Sequence, residues 1–187
     1  AFVQEWQNEG EELIVHTSGS TGKPKALLVK KAQMRASTAA TVEFLKLKPY
    51  QTTALLCMPL KYIGGKMMVV RAIEHHFKLI AIAPTAHPLK TLRQAPHFAA
   101  MTSNQVWESL LVPRERRLLC NIKCLIIGGG AISTDLQKSL SDFPNAVYST
   151  YGMTETLSHI AMRKLNGSDA SAHYQPLENV QLSVHNE

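Results

Sequence analysis

The chain has 187 residues, 45% of them hydrophobic, which is ordinary for a globular protein that buries a core. Its formal net charge of +6 suits nucleic acids, anionic membranes or anionic small molecules and does not choose among them. The basic residues are scattered, apart from one cluster at residues 114–117, and lack interleaved aromatics. No apolar run reaches the ~20 residues of a membrane span. We therefore expect neither a nucleic-acid nor a membrane partner.

Three cysteines, Cys57, Cys120 and Cys124, make an odd number without the spacing of a secreted disulfide framework. No second pair of ligands accompanies Cys120 and Cys124, which argues against a zinc site. The chain begins with Ala and shows no leader sequence. We therefore expect reduced thiols and a cytoplasmic location.

The first elements frame a polar loop. Phe2 and Trp6 are four residues apart and predict a short amphipathic turn within residues 1–12. Apolar runs at residues 13–16 and 26–29 predict two strands. The loop between them therefore connects two strands and does not open a helix.

That loop is rich in hydroxyls, glycines and lysines: Thr17, Ser18, Gly19, Ser20, Thr21, Gly22, Lys23, Pro24 and Lys25. Hydroxyls and bare backbone N–H groups donate hydrogen bonds, glycines allow close approach, and lysines add positive charge, so the loop suits a polyphosphate. The P-loop of nucleotide hydrolases is excluded, because Thr17 and Pro24 stand where that motif needs glycine and Ser/Thr. A solvated linker of similar composition is the alternative.

Downstream of the loop, strands and helices alternate. We predict helices at residues 31–45, 66–75, 104–111 and 134–140, strands at 53–58, 79–83, 97–102, 125–127 and 146–149, and a further apolar segment at 157–162. This order predicts an α/β fold, a layered sandwich with a mainly parallel sheet, as one compact unit. In such sheets ligands bind beyond the carboxyl ends of the strands.

Two further motifs follow predicted strands. Gly128, Gly129 and Gly130 after a buried strand permit a tight turn and leave a flat slot in which a purine can lie against backbone; Ser133 excludes a dinucleotide fingerprint. The segment from Tyr151 to Thr156 offers an aromatic face, a close-approach glycine, a hydroxyl and a carboxylate. These groups suit base stacking, a phosphate hydrogen bond and Mg²⁺ ligation.

The three motifs, in this order, resemble the adenylate-forming superfamily of acyl-CoA synthetases, luciferases and peptide-synthetase adenylation domains. The resemblance implies ATP and Mg²⁺ as cofactors, with Ser18 to Lys23 on the β- and γ-phosphates. It further implies adenine contacts from Gly128 to Ala131 and from Tyr151 and Gly152, with Thr154 on the α-phosphate. Glu155 would hold the metal. Lys23, Thr154 and Glu155 would carry the catalysis.

The flanks of the motifs, residues 58–72 and 147–161, are similar to the o-succinylbenzoate–CoA ligase family of menaquinone synthesis. This implies a small carboxylic acid and coenzyme A as co-substrates. A homodimer is an open alternative to a monomer. Residues 1–187 would be a partial N-terminal AMP-binding domain, because the chain stops before the family's Thr-Gly-Asp motif, hinge and C-terminal domain with its catalytic lysine. A nucleotide-binding module without turnover, or a ligase for another aryl or acyl acid, is the alternative.

For the acid we expect contacts from six residues: Tyr62, Gly64, Lys66, Thr102, Gln105 and His159. Tyr62 departs from the family pattern, in which many relatives carry His. A second substrate carboxylate needs a cation in an apolar pocket, and Lys66 and Arg71 lie on one predicted helix but about 140° apart. We favour Lys66; two basic residues on a solvated helix face are the alternative. For His159, a place in the acid pocket and a plain core or surface position both remain open.

Overall fold

The computed structural model describes residues 2–17, 23–178 and 180–183 of the chain. Helices in this part are α1 (Phe2–Gln7), α2 (Lys31–Phe44), α3 (Ile63–Glu74), α4 (Ser103–Leu111), α5 (Pro113–Cys120) and α6 (Thr134–Leu140). Strands are β1 (Glu12–His16), β2 (Ala26–Lys30), β3 (Thr53–Leu56), β4 (Lys78–Ala81), β5 (Phe98–Thr102), β6 (Cys124–Gly128), β7 (Ala146–Gly152), β8 (His159–Lys164) and β9 (Gln175–Pro176).

The main sheet has the strand order β4-β3-β5-β6-β7-β8-β9. From β4 to β7 every neighbouring pair is parallel, whereas β8 and β9 are added antiparallel. The predicted α/β fold with a mainly parallel sheet is therefore confirmed. The apolar segment at 157–162 contributes to β8, which runs opposite to its neighbour because only a short turn separates it from β7.

Two apolar clusters cover the two faces of this sheet. Along β3, β5 and β6 successive side chains alternate between the clusters, as the pleat of a strand requires. Residues of α1, α2 and α3 fill one cluster, and residues of α4, α5 and α6 fill the other. The sheet is thus buried on both faces, which explains why its strands are continuous apolar runs in the sequence.

A separate two-stranded antiparallel sheet pairs β1 with β2, so residues 17–25 connect two strands as expected. Leu13, Val15 and Val29 of this hairpin are buried in the first cluster. Phe2 and Trp6 of α1 join them there, which confirms the amphipathic N-terminal turn.

Several boundaries differ from the predictions. Helix α3 begins at Ile63, so Gly64 and Gly65 lie in its first turn and not in a turn before it. A Cβ at Gly65 would stand 2.5 Å from the Pro59 carbonyl oxygen, so glycine is needed there for close packing on the preceding chain. Helix α5 was not predicted, although Pro113 suits its first position. Strand β7 continues through Gly152, three residues beyond the predicted end.

In the described ranges, no helix combines the length and apolarity that crossing a membrane requires. Cys57, Cys120 and Cys124 are free thiols, and Cys57 is buried in the second cluster as a small core residue. Burial raises the pKa of the Cys57 thiol to about 12, so it is protonated at neutral pH.

Candidate functional site

The glycine turn and the Tyr151 segment meet at the carboxyl edge of the sheet. Thr102 and Gly128 are paired at the ends of β5 and β6, and the Thr150 hydroxyl of β7 donates to the Ile127 carbonyl oxygen at 3.2 Å. A Cβ at Gly128 would stand 2.7 Å from the Thr150 Oγ1. A side chain larger than glycine would therefore displace the Thr150 hydroxyl where these neighbouring strand ends converge.

Beyond Gly128 the turn is open. Gly129 has a φ of +79°, which favours glycine, and a Cβ at Gly130 would meet no atom within 4 Å. The turn ends near α4, where the Ser103 Oγ donates to the Ala131 carbonyl oxygen at 3.4 Å. Backbone with free space above it is what the predicted purine slot needs.

Tyr151 presents an exposed aromatic face next to this turn. Its side chain is 53% exposed, and its ring centroid lies 5.9 Å from that of Tyr174. The two rings border an apolar cleft of about 240 Å³ that Ile160, Ala161 and Pro176 also line. A flat ligand group can therefore reach an aromatic surface at this edge.

The turn between β7 and β8 is held by the side chain of Thr156. Its Oγ1 accepts from the Met153 N–H at 3.0 Å and lies 2.7 Å from the Ser158 carbonyl oxygen. The Leu157 N–H donates to the Thr154 carbonyl oxygen at 2.9 Å, and Leu157 has a φ of 65°. A positive φ at a branched aliphatic residue is strained and persists only where the surroundings fix it.

This turn presents Thr154 and Glu155 differently. Thr154 is buried, whereas Glu155 is exposed and makes no hydrogen bond or ion pair with the described part of the chain. No cluster of three or more His, Cys, Asp or Glu side chains that could hold a metal ion occurs in residues 2–17, 23–178 and 180–183. A single free carboxylate fits Mg²⁺ bound mainly through ligand phosphates, since Mg²⁺ commonly takes one or two protein carboxylates.

The polar loop between β1 and β2 is described only at its base. The Thr17 N–H donates to the Lys25 carbonyl oxygen, and the Lys25 N–H donates to the Thr17 Oγ1, both at 3.0 Å. Lys23 is exposed. The predicted phosphate contacts of residues 18–22 lie outside the described residues.

The predicted acid-binding residues of α4 have structural partners. The Thr102 Oγ1 accepts from the Gln105 N–H at 3.2 Å and caps α4. The Gln105 Oε1 accepts from the Thr102 N–H at 3.1 Å, and its Nε2 donates to the carbonyl oxygens of Cys57 and Thr85. Gln105 is buried with its amide committed to backbone groups, so the structure does not support a direct substrate contact for it.

On α3, Lys66 and Arg71 point to different surroundings. The Lys66 ammonium donates to the Ile14 carbonyl oxygen at 3.4 Å and lies 5.1 Å from the Phe2 ring centroid, among the N-terminal elements. Arg71 is only 2% exposed, so a solvated helix face is wrong for it. Gly64 lies in the first turn of the same helix, and Tyr62 precedes it with 40% of its surface exposed.

The hydrogen-bond partners of Arg71 among the described residues are neutral hydroxyls. Its Nη2 donates to the Ser158 Oγ at 2.9 Å and to the Thr41 Oγ1 at 3.5 Å, while its Nε is buried without a partner. No carboxylate in the described ranges pairs with it. Burial lowers the pKa of the guanidinium to about 10, and it stays positive at neutral pH.

His159 belongs to the same polar group. Its Nε2 lies 2.9 Å from the Thr41 Oγ1, and its Nδ1 lies 3.3 Å from the Ser158 Oγ. Burial, and then the positive charge of Arg71, lower the pKa of His159 well below its usual value. A surface position is thus excluded for His159, and Thr41, Ser158, His159 and Arg71 form what we call the Arg71 cluster.

Sequence reasoning missed the Arg71 cluster as a unit. The signal was present in α3, where Arg71 interrupts the apolar run from Met67 to Ile73. An arginine at the centre of an otherwise apolar helix is either paired or functional, because burying an unpaired charge is expensive. Thr41 and Ser158 carried no signal of their own.

Known proteins resemble this chain over nearly its whole length. The AMP-binding enzyme family matches residues 4–187. The 2-succinylbenzoate–CoA ligase of Bacillus mycoides (strain KBAB4) is 28% identical over 166 residues, which cover 86% of this chain and 34% of that protein. The ligase of the same name from Bacillus cytotoxicus is 30% identical over 152 residues, covering 79% of this chain and 31% of that protein. The chain thus spans about a third of these curated relatives.

Solved structures show the same fold. The acyl-CoA synthetase (AMP-forming)/AMP-acid ligase II-like protein from Dyadobacter fermentans is 38% identical with a TM-score of 0.92, covering 98% of this chain and 53% of that one. The O-succinylbenzoate coenzyme A synthetase of Bacillus subtilis, in complex with ATP and magnesium ion, has a TM-score of 0.73 at 20% identity. That likeness covers 93% of this chain and 37% of the synthetase, and it shows the fold alone.

Proposed function

Because this chain belongs to the AMP-binding enzyme family, we propose that the full-length protein is an ATP-dependent acid–CoA ligase that works through an acyl-adenylate. The proposed acid is 2-succinylbenzoate, the acid named in the Bacillus ligases, which would place the protein in menaquinone biosynthesis. Residues 1–187 would be part of the large N-terminal domain, with the catalytic lysine on a smaller C-terminal domain.

The observation that carries the choice of acid is the unpaired charge of Arg71. A buried guanidinium with an orphaned Nε is stabilised by a ligand that brings a carboxylate. 2-Succinylbenzoate has two carboxylates, of which only one is activated. The other is free to pair with Arg71, and this replaces our expectation for Lys66, whose ammonium contacts Ile14 and Phe2.

The proposed reaction has two steps. A carboxylate oxygen of the acid attacks the α-phosphorus of ATP, and the bond from that phosphorus to pyrophosphate breaks. The sulfur of coenzyme A then attacks the acyl carbon, the thioester forms, and AMP leaves. In both steps the protein mainly positions the reactants and stabilises developing charge.

Each motif has a place in this scheme. Lys23 and the polar loop would hold the β- and γ-phosphates, and Thr154 would donate to the α-phosphate. The turn from Gly128 to Ala131, with Tyr151 and Gly152, would hold adenine against backbone and ring. Glu155 would hold Mg²⁺, which neutralises phosphate charge when bound.

Acid-dependent exchange of pyrophosphate into ATP tests the proposal directly. We expect the full-length protein to catalyse the exchange with 2-succinylbenzoate, and to do so less efficiently with 2-butanoylbenzoate and 4-oxo-4-phenylbutanoate, each of which lacks one of its carboxylates. Nucleotide binding without exchange for any acid would establish the alternative, a module without turnover. Exchange that is faster with an unrelated acid would overturn the choice of substrate.

The role of Arg71 is tested by a matched pair of variants on α3. We expect Arg71→Met to lower kcat/KM for 2-succinylbenzoate on the order of 100-fold, because a charged hydrogen-bond partner is lost. Lys66→Met removes a cation from the same helix and should change this value by less than about threefold. If Lys66→Met instead selectively impairs the dicarboxylate, the cation is Lys66 and not Arg71.

A further inference from the structure

The hydrogen-bond partners in the Arg71 cluster assign a direction to each donor. The Thr41 hydroxyl lies 2.9 Å from the Ser37 carbonyl oxygen, to which it donates. The Thr41 Oγ1 is then left to accept from the Nε2–H of His159. The Nδ1 of neutral His159 therefore carries a lone pair and accepts from the Ser158 hydroxyl.

In this arrangement the Ser158 hydroxyl has no hydrogen left for a ligand. Its oxygen accepts from the Arg71 Nη2 at 2.9 Å, and its single hydrogen points to the Nδ1 of His159. A carboxylate placed on Arg71 would meet the lone pairs of Ser158, which repel it. One added proton on His159 removes this conflict, because Nδ1–H then donates to the Ser158 Oγ and the serine hydrogen turns to the carboxylate.

We propose that His159 is a proton-dependent specificity residue: binding of the second substrate carboxylate at Arg71 takes up one proton, which moves from solvent to the His159 Nδ1 and turns the Ser158 hydroxyl toward that carboxylate. The proposal rests on the proposed function, because it concerns the same acid. The cluster would then select for dicarboxylates, because an acid without the second carboxylate does not stabilise protonated His159.

The surroundings of His159 fit such a change of protonation. Helix α2 contributes the Thr41 hydroxyl, α3 contributes the Arg71 guanidinium, and the turn before β8 contributes Ser158. His75, the residue directly after α3, faces the Thr38 hydroxyl of α2 at 3.3 Å. Throughout the described ranges no Asp or Glu side chain pairs with Arg71 or His159, so the bound carboxylate supplies the negative charge that favours imidazolium.

The sign of the pH dependence follows. Without ligand, burial and Arg71 hold the pKa of His159 well below its usual value, so the ring is neutral at neutral pH. The bound carboxylate raises that pKa, and affinity for the dicarboxylate should strengthen as pH falls through the raised value. One proton gives at most about tenfold in Kd per pH unit, and above the raised pKa the Kd should not vary.

Calorimetric titration measures both the proton uptake and the pH dependence of Kd. The full-length protein, saturated with a non-hydrolysable ATP analogue, is titrated with 2-succinylbenzoate from about pH 5.5 to about pH 8 in two buffers that differ in ionisation enthalpy. We expect up to one proton taken up per acid bound and a Kd that falls on the order of tenfold toward the acidic end. Of 2-butanoylbenzoate and 4-oxo-4-phenylbutanoate, the compound that lacks the carboxylate bound by Arg71 should show neither effect.

Two histidine variants separate this role from a structural one. His159→Gln keeps donor and acceptor groups for Ser158 and Thr41 but cannot titrate, so proton uptake and the pH dependence of Kd should both disappear. His75→Gln changes a nearby histidine that faces Thr38 and is not a member of the Arg71 cluster, so it should keep both. Proton uptake that persists in His159→Gln would overturn the proposal.

The remaining outcomes distinguish the role of His159 from the proposed function itself. Tight binding of 2-succinylbenzoate without proton uptake at any pH would overturn the role of His159 and leave the proposed function intact. Absence of both binding and pyrophosphate exchange with 2-succinylbenzoate would overturn the substrate and this inference together.

Discussion

Glu115 and Arg71 are charged side chains buried on opposite faces of the main sheet, and their partners differ. Glu115 of α5 is 2% exposed; its Oε1 lies 3.1 Å from the His87 Nδ1, and its Oε2 accepts from the Ser109 hydroxyl. Arg71, on the other face, is equally buried and has only hydroxyl partners. A histidine ring and a serine hydroxyl lie beside the Glu115 carboxylate, whereas no carboxylate in the described ranges pairs with Arg71.

The difference separates a charge with a structural role from the charge that we propose binds a ligand. Glu115 joins α5 to α4 through the Ser109 hydroxyl and lies beside the segment that carries His87. The neutral neighbours of Arg71 do not offset the free energy of desolvating its charge, and burial lowers its pKa to about 10. Such a cost is retained where a bound anion offsets it during function.

The largest effect should come from disturbing the backbone beside the Arg71 cluster. A Cβ at Gly152 would overlap the Ser158 carbonyl oxygen and the Cα of His159, and backbone cannot yield as a flexible side chain can. We expect Gly152→Ala to lower the free energy of unfolding by about 3 kcal/mol in urea denaturation. Gly130→Ala is the control, because its Cβ enters open space, and it should cost less than about 0.5 kcal/mol. Equal losses in both variants would contradict the overlap.

A smaller loss should follow from removing the Glu115 carboxylate. Glu115→Ala leaves the Ser109 hydroxyl without its acceptor, removes the carboxylate beside His87 and opens a small cavity, so we expect a loss of about 2 kcal/mol in the free energy of unfolding. Glu115→Gln keeps an acceptor oxygen and should lose about half as much. Urea denaturation at neutral pH measures both, and a neutral Glu115→Ala would remove the structural role assigned to this charge.

The smallest effect on stability should come from removing the incomplete charge. We expect Arg71→Met to leave the free energy of unfolding within about 1 kcal/mol of the native value, or to raise it, because an apolar side chain replaces an uncompensated buried charge. The same variant should lose the selectivity described above, so stability and function would move apart. A loss above about 2 kcal/mol would show that Arg71 is as structural as Glu115.

The spacing of apolar residues and the positions of glycine and proline predicted most of the fold. Helix α6 has the predicted bounds, and α2 ends one residue early. Apolar spacing marks α2, and a serine cap, Ser133, marks the start of α6. Helix α5 was missed because Arg114, Arg116 and Arg117 read as a surface charge cluster, although Glu115 and Leu119 at i and i+4 face the core. The first turn of α3 was taken for a loop because Gly64 and Gly65 are poor helix formers, and tertiary packing overrode that preference.

Parts of the candidate site made of consecutive residues could be predicted, and parts made of distant residues could not. Local motifs such as the Gly128 turn and the Tyr151 segment could be recognised because their chemistry lies in consecutive residues. The Arg71 cluster could not, since it joins α2, α3 and the β7–β8 turn across 118 residues from Thr41 to His159. Choosing between Lys66 and Arg71 required knowing which face of α3 is buried, and both faces of that helix are apolar in sequence.

The turn between β7 and β8 has a mechanical consequence. Thr154 and Glu155, which we propose bind the nucleotide, and Ser158, which we propose faces the acid, lie on one short turn that leads directly into His159 of β8. The Thr156 hydroxyl braces this turn internally. A rigid segment cannot shift at one end without shifting at the other, so each ligand should alter the affinity for its co-substrate. Thermodynamic linkage requires that factor to be the same in both directions, which makes the turn a coupling element as well as a binding one.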